Sequence, residues 1–246
     1  MKTAICVSGL IRDKHKRNIG LVKNAFPDAD IFYSTWEAFK VQEAAKSYNC
    51  KYYPEPQMHY NPWHECVTDN PHPKYQAYKK DFINKTGQST QTKLLNATKQ
   101  IIAHAYQVAD LPEEYDMIVR TRWDTLVSDK ANFNHYLNTS YENDMAIGFA
   151  IRGGRWTDLH RFKDIEHVYI TETTDQAWSR DWAWWLNDNL IIHPRKIFDT
   201  ESVHKMHEAK ELWPAEYGWY QVLSKDKEDN HHCVYGGAAL DRFIHR

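Results

Sequence analysis

Tyr115-Asp116-Met117-Ile118-Val119-Arg120-Thr121-Arg122-Trp123-Asp124 is the stretch that decides how this chain is read. A short apolar run, Met117 to Val119, gives way to two arginines and an aspartate at alternate positions. A β-strand repeats every two residues, so Arg120, Arg122 and Asp124 would share one face and Val119, Thr121 and Trp123 the other. The buried part of a parallel strand reads as a continuous apolar run, and its ligand-facing end lies at the carboxyl side. Two guanidiniums and a carboxylate at that end suit an anionic ligand together with a divalent cation. A ladder of surface ion pairs on an edge strand would give the same pattern, so the rest of the chain must arbitrate.

Upstream, Ala4-Ile5-Cys6-Val7-Ser8-Gly9 reads as a buried strand ending in a glycine turn, followed by the basic run Arg12 to Arg17. Ile19, Val22 and Ala25 have helical spacing over Asn18 to Ala25, and Pro27-Asp28 ends that helix. Ala29 to Trp36 supplies a second strand, Glu37 to Ser47 a second helix, and Lys51-Tyr52-Tyr53 a third strand. This alternation predicts parallel βαβ units. Residues 54–75, rich in Pro, His and Asn, read as a long loop suited to a lid. The helical period returns from Thr90 to Ala109, with Leu94, Leu95, Ile101, Ile102, Ala105 and Val108 on the apolar positions. Downstream of the quoted stretch, Met145 to Ala150 and Asn189 to His193 read as strands, Asp181 to Leu186 and Glu208 to Leu223 as helices. The chain divides into a ligand-binding half over 1–130 and a second half over 131–246 within a single domain.

With 246 residues, 42% hydrophobic and 26% charged, the chain is an ordinary globular protein with enough length for a sizeable core. A net charge of -2 gives no global attraction to nucleic acid or to an anionic membrane. No apolar run reaches membrane-spanning length, and the chain opens directly on a strand, so a cytoplasmic protein is expected. Cys6, Cys50, Cys66 and Cys233 form no CxxC pair. His59, His64, Glu65, Cys66 and His72, and later His231, His232 and Cys233, are spaced too loosely for a zinc site. Ten tryptophans and fifteen tyrosines suit sugar-stacking surfaces, although cores and interfaces use the same residues.

Ser8-Gly9-Leu10-Ile11-Arg12 follows the first strand, where open α/β sheets bind ligands. It is neither the GxGxxG dinucleotide fingerprint nor a Walker A loop. Gly9 allows close backbone approach, and Arg12 could reach a phosphate or base or could equally be a solvated arginine on a tight turn. Ser34-Thr35-Trp36 stands in the equivalent place after the second strand, with hydroxyls for a ribose or base edge and an indole for stacking. Asp188 precedes an apolar strand and Glu216 opens an aromatic-rich segment. An acid in either setting can act as a general base or can equally be a cap or a buried hydrogen-bonding group.

Taken together, Ile5 to Arg12, Asp30 to Trp36, Tyr115 to Asp124 and Asn187-Asp188 resemble the anchors of a bacterial and viral glycosyltransferase-like family that includes the WavE-type lipopolysaccharide synthesis proteins. The family often carries Pro where this chain has Trp123, and the Trp-rich region 156–185 has no counterpart in it. The resemblance implies a GT-A-like fold, a Rossmann-like α/β sandwich with a mainly parallel central sheet. It implies a sugar transferred from a nucleotide-diphosphate sugar to a glycan or lipopolysaccharide-type acceptor. Ser8, Gly9, Arg12, Ser34, Thr35, Trp36, Arg120 and Arg122 would bind the donor, Asp124 would hold Mn²⁺ or Mg²⁺, and Asp188 or Glu216 would activate the acceptor. Arg120 and Arg122 could share the cation's work, so the resemblance implies a metal-assisted enzyme and also allows a metal-independent one. Two other readings are a non-catalytic carbohydrate-binding protein and a nucleotidyl- or phosphotransferase on a similar sheet.

Overall fold

The computed structural model describes residues 1–11, 15–56, 88–123, 125, 127, 133–149, 168–170, 190–208, 218–219, 222–223 and 231–235. β1 (Thr3–Ser8), β2 (Asp30–Trp36), β3 (Lys51–Tyr53), β4 (Met117–Arg122), β5 (Ala146–Phe149), β6 (Val168–Ile170), β7 (Leu190–Pro194) and β8 (His231–Tyr235) form one sheet in the order β3-β2-β1-β4-β7-β5-β8-β6. The helices are α1 (His15–Ala25), α2 (Glu43–Ser47), α3 (Gln88–Asp110), α4 (Phe133–Glu142) and α5 (Thr200–Glu208). β3, β2, β1 and β4 are parallel neighbours, and β5 and β8 pair parallel to each other. β7 runs antiparallel to both β4 and β5, and β6 runs antiparallel to β8. The expected α/β sandwich with a mainly parallel sheet is therefore the architecture.

β1 is buried along its whole length, as the apolar run Ala4 to Val7 requires for a central strand covered on both faces. Its odd positions, Ile5 and Val7, join Val119 and Trp123 of the β4 segment, Ile192 of β7 and Ile147 of β5 in one core cluster. α1 covers that face with Ile19 and Val22, and α4 with Phe133, Tyr136 and Leu137. α3 covers the other face. Its Gln107 amide donates to the β1 and β2 carbonyls of Val7 (3.3 Å) and Phe32 (3.2 Å). Arg195, just after β7, caps the carboxyl end of α3 by donating to the carbonyls of Val108 and Leu111, both at 3.0 Å.

The ten-residue signature splits into structural and cleft-facing parts. Tyr115 donates to Asp30 Oδ2 at 2.7 Å and packs edge-on against Phe32. The Asp116 carboxylate accepts from the Lys2 amide at 3.1 Å, and the Asp116 carbonyl accepts from the Arg195 amide at 2.8 Å. Those two residues tie down the amino ends of the strands. Trp123 is fully buried, stacked on Tyr33 at 5.5 Å with Tyr48 edge-on at 5.2 Å. Its Nε1 donates to Ser34 O (3.3 Å) and its carbonyl accepts from Asn18 Nδ2 (2.8 Å). Burying an indole removes roughly 150–250 Å² from water, which at about 25 cal/mol/Å² is a transfer term of about 4–6 kcal/mol before ordering entropy is set against it. Where the resembled family often has Pro, this chain thus has a core anchor clamping the end of β4 to β2 and α1.

Several elements differ from the sequence reading. Glu37 to Ser47 is not one helix. A short 3-10 turn, Glu37–Phe39, is followed by α2, because Gln42 lies in extended backbone (φ -65, ψ 133) between them. α4, α5, β6 and β8 have no counterpart in the sequence reading. The Asn189 to His193 strand is present as Leu190–Pro194 but runs against its neighbours. The expected helix over Asp181 to Leu186 lies outside the described residues, and of Glu208 to Leu223 the structure describes helical backbone at 218–219 and 222–223, with α5 ending at Glu208.

Candidate functional site

The carboxyl ends of β1, β2 and β4 meet in a cleft of about 110 Å³ lined by Ser8, Gly9, Leu10, Trp36, Phe39, Glu55, Asn96, Lys99, Gln100 and Arg122. Ser8 pairs in register with Arg122, so the end of β1 stands directly beside the second arginine of the signature. At Gly9 the chain turns with φ +98, a conformation that L side chains rarely adopt. Thr35 Oγ1 donates to Gly9 O at 3.0 Å and so ties the end of β2 to that turn. Ser8 is 1% exposed, and its hydroxyl has no hydrogen-bond partner among the described residues although it lines the cleft. A buried hydroxyl without a partner is costly in a finished structure, which makes Ser8 a candidate ligand contact.

The cleft has an aromatic side and a polar side. Trp36 belongs to a cluster with Tyr53 and Ala103, against which Phe39 and Tyr106 pack. α3 contributes the polar stripe Asn96, Lys99 and Gln100. Lys99 pairs with Glu55 at 2.7 Å. Arg122 is partly exposed at the rim.

Arg120 is placed differently from the sequence expectation. It shares the α3 side of the sheet with Arg122, as the two-residue period requires, but it is fully buried and does not line the cleft. Its guanidinium lies 4.7 Å from the Trp219 ring centre and donates through Nη2 to Gln100 Oε1. Behind it stands a buried aromatic cluster. His104 packs edge-on against Trp219 at 5.3 Å and Phe198 at 5.1 Å, and its Nε2 lies 3.0 Å from His193 Nε2. His193 Nδ1 donates to Pro194 O at 2.9 Å, since a carbonyl only accepts. Nε2 of the neutral His193 must then be the acceptor, and His104 Nε2–H the donor. Burial holds both imidazoles neutral, with His193 pushed down to about 4. For His104 the neighbouring His193 and Arg120 add to that effect.

Of the sequence candidates, the structure brings Ser8, Gly9, Trp36 and Arg122 together at the cleft, with Ser34 and Thr35 buried behind its wall. Arg12, Asp124, Asp188 and Glu216 lie outside the described residues, as do His59, His64, Glu65, Cys66 and His72. His231, His232 and Cys233 are residues of β8, paired with Ala146, Ile147 and Gly148. Among the described residues no group of three His, Cys, Asp or Glu side chains is placed to hold a metal. The described donors around the cleft, with Glu55 engaged by Lys99, suit an anion better than a divalent cation. Sequence reasoning passed over Phe39, Glu55, Asn96, Lys99 and Gln100. The available signal was the polar stripe Asn96, Lys99, Gln100, Gln107 at helical spacing, opposite the apolar residues that drew attention to the helix.

Cys6 is buried in β1 and its thiol is pushed up to about 12 by burial, which makes it an unreactive core residue. Among the described residues no helix is long and apolar enough to cross a membrane.

No family model matches the chain, and no curated protein matches it. Several solved structures are similar in backbone. A 4-diphosphocytidyl-2C-methyl-D-erythritol synthase from Anaerococcus prevotii aligns over 96% of this chain and 89% of its own at 10% identity, with a TM-score of 0.49. A mannose-1-phosphate geranyltransferase from Thermus thermophilus aligns over 96% and 74% at 11% identity, TM-score 0.42. The galactosyltransferase LgtC, in complex with donor and acceptor sugar analogues, aligns over 95% and 73% at 12% identity, TM-score 0.39. Likeness at this level assigns no activity to the present chain, and the WavE-type similarity of the four sequence anchors stands as a resemblance.

Proposed function

We propose that this chain is a glycosyltransferase that binds a nucleotide-diphosphate sugar in the cleft at the ends of β1, β2 and β4. The observation that carries the reading is the meeting of four features at one place. They are a positive-φ glycine turn, a buried hydroxyl without a partner, an indole and an arginine, all at the carboxyl end of parallel strands. In this reading the base and ribose lie against Trp36 and Phe39, the backbone at Gly9 admits close approach, and Ser8 donates to the ligand. Arg122, together with Arg12, holds the diphosphate and offsets the charge that develops on it as the sugar departs. Asp188 takes the acceptor proton, with Glu216 as the competing candidate. Asp124 would be the protein ligand for Mn²⁺ or Mg²⁺, and a bound cation would supply further charge stabilisation to the leaving diphosphate. The acceptor is a glycan of the lipopolysaccharide type.

A thermal-shift screen of UDP-, GDP- and CMP-sugars, with and without Mn²⁺, tests this. Ligand at about 100 times its Kd adds about 2.7 kcal/mol, which in a chain of this size raises Tm by roughly 5–10 °C. One nucleotide-sugar class should give that rise. A rise with free monosaccharide alone would instead indicate a carbohydrate-binding protein, and a rise confined to nucleoside triphosphates would indicate a nucleotidyltransferase.

A further inference from the structure

Arg120 and Gln100 together specify which chemical group the cleft can read. Arg120 is fully buried, packed against the Trp219 ring, and donates to Gln100 Oε1. A guanidinium has donors and no acceptor, so it can engage only the oxygen of a glutamine amide and never the nitrogen. That fixes the orientation of the amide. With its oxygen held by Arg120, Gln100 has an NH₂ group to offer the cleft it lines. The carboxylate of Glu55, on the same cleft, is engaged by Lys99 at 2.7 Å. Ser8 Oγ, buried and without a partner among the described residues, lies on the same cleft as a second polar group awaiting a ligand.

We infer that Gln100 reads the nucleobase, donating its NH₂ to a keto oxygen, and that buried Arg120 is a positioning residue that locks the amide in that orientation. This inference rests on the nucleotide reading above and adds the base class to it. A base that brings an exocyclic amine to the same edge would oppose donor with donor. The site should therefore prefer uracil to cytosine and guanine to adenine. Sites built around one hydrogen bond discriminate strongly, because the wrong partner leaves a buried polar group unpaired.

The experiment is calorimetric titration of the full chain with UDP, CDP, GDP, ADP and inorganic pyrophosphate, repeated on three variants. Wild type should bind the keto member of each pair about tenfold or more tighter than its amino counterpart. Gln100→Glu keeps the length of the side chain and gives Arg120 a carboxylate, so the fold persists, but both its oxygens are acceptors. Its UDP-to-CDP preference should fall below unity, because a carboxylate oxygen opposes a keto oxygen and accepts from an exocyclic amine. The effect of the added charge on the diphosphate is common to both nucleotides and cancels in that ratio, which leaves the base edge as its source. Gln100→Asn keeps both amide groups but withdraws them by one methylene, and should lose the preference. Arg120→Lys should reduce the ratio, because a single ammonium no longer locks the amide, whereas a merely structural role would weaken all nucleotides in parallel. Wild type preferring CDP or ADP, or showing no preference, overturns the inference, as does a ratio unchanged in Gln100→Glu. The nucleotide reading fails separately if wild type binds none of the four nucleoside diphosphates more tightly than pyrophosphate.

Discussion

Acidification should weaken this fold through one identifiable pair, His104 and His193. Both side chains are fully buried, with Nε2 atoms 3.0 Å apart among Phe198, Trp219 and Arg120. In the folded state burial keeps His193 neutral down to about 4, against an ordinary value of 6.5, with the Pro194 carbonyl offsetting part of the effect. The unfolded chain binds that proton from about pH 6.5 downward, so the unfolded state gains protons first and stability falls as pH falls. A folded-state value lowered from 6.5 to about 4, at 1.36 kcal/mol per pH unit, corresponds to about 3 kcal/mol between neutrality and pH 4. His104, also held well below its ordinary value, acts in the same direction. Urea unfolding at a series of pH values from 7 to 4 measures the slope, and His193→Gln isolates its source. Glutamine keeps an acceptor for His104 but does not titrate. Carboxylates elsewhere affect both proteins equally, so the wild-type loss of ΔG should exceed that of the variant by about 3 kcal/mol. Parallel pH profiles, differing by less than about 0.5 kcal/mol across the range, would refute the assignment.

Arg122→Gln should weaken nucleoside diphosphate binding by about tenfold with little change in Tm, since the residue stands at the rim of the cleft; titration calorimetry beside a melting curve separates the two. Asp188→Asn should depress turnover at unchanged donor affinity, and Glu216→Gln should do much less; steady-state kinetics in the reverse order would move the base to Glu216. Asp199 precedes α5 and its carboxylate accepts from the Ser202 amide (2.9 Å) and hydroxyl (2.6 Å), so Asp199→Ala should cost about 1 kcal/mol of unfolding free energy in urea. Burial raises the Asp199 carboxyl but the Ser202 donors outweigh it and leave it lowered, so the cap's contribution should fade as pH drops below the usual carboxylate range.

The first half of the sheet is plain in the sequence because β1 and β4 carry apolar runs between recognisable breaks, and burial on both faces demands such runs. The same property hides strand direction. Leu190 to Pro194 is as uniformly buried as β1, and nothing in its composition distinguishes an antiparallel strand from a parallel one. α5 is not legible in the sequence because only Val203 among its described residues is buried, and its start is marked by a side-chain cap, not by a hydrophobic period. At the site, Gly9, Trp36 and Arg122 follow from their positions at strand ends. Glu55 and Lys99 meet across 44 residues of chain, a contact that local pattern cannot predict. Arg120 and Arg122 have the same type and the same sheet face in sequence. Only the packing of α3 and Trp219 over the first leaves one arginine buried and the other at the cleft.

Crystals soaked with the nucleotide-sugar that raises Tm most provide the most direct test. The account predicts density for the nucleotide between the Gly9 turn and Trp36, with the base within hydrogen-bond reach of Gln100 and the diphosphate against Arg122. Nucleotide bound at any other place on the molecule, with this cleft unchanged, would contradict it.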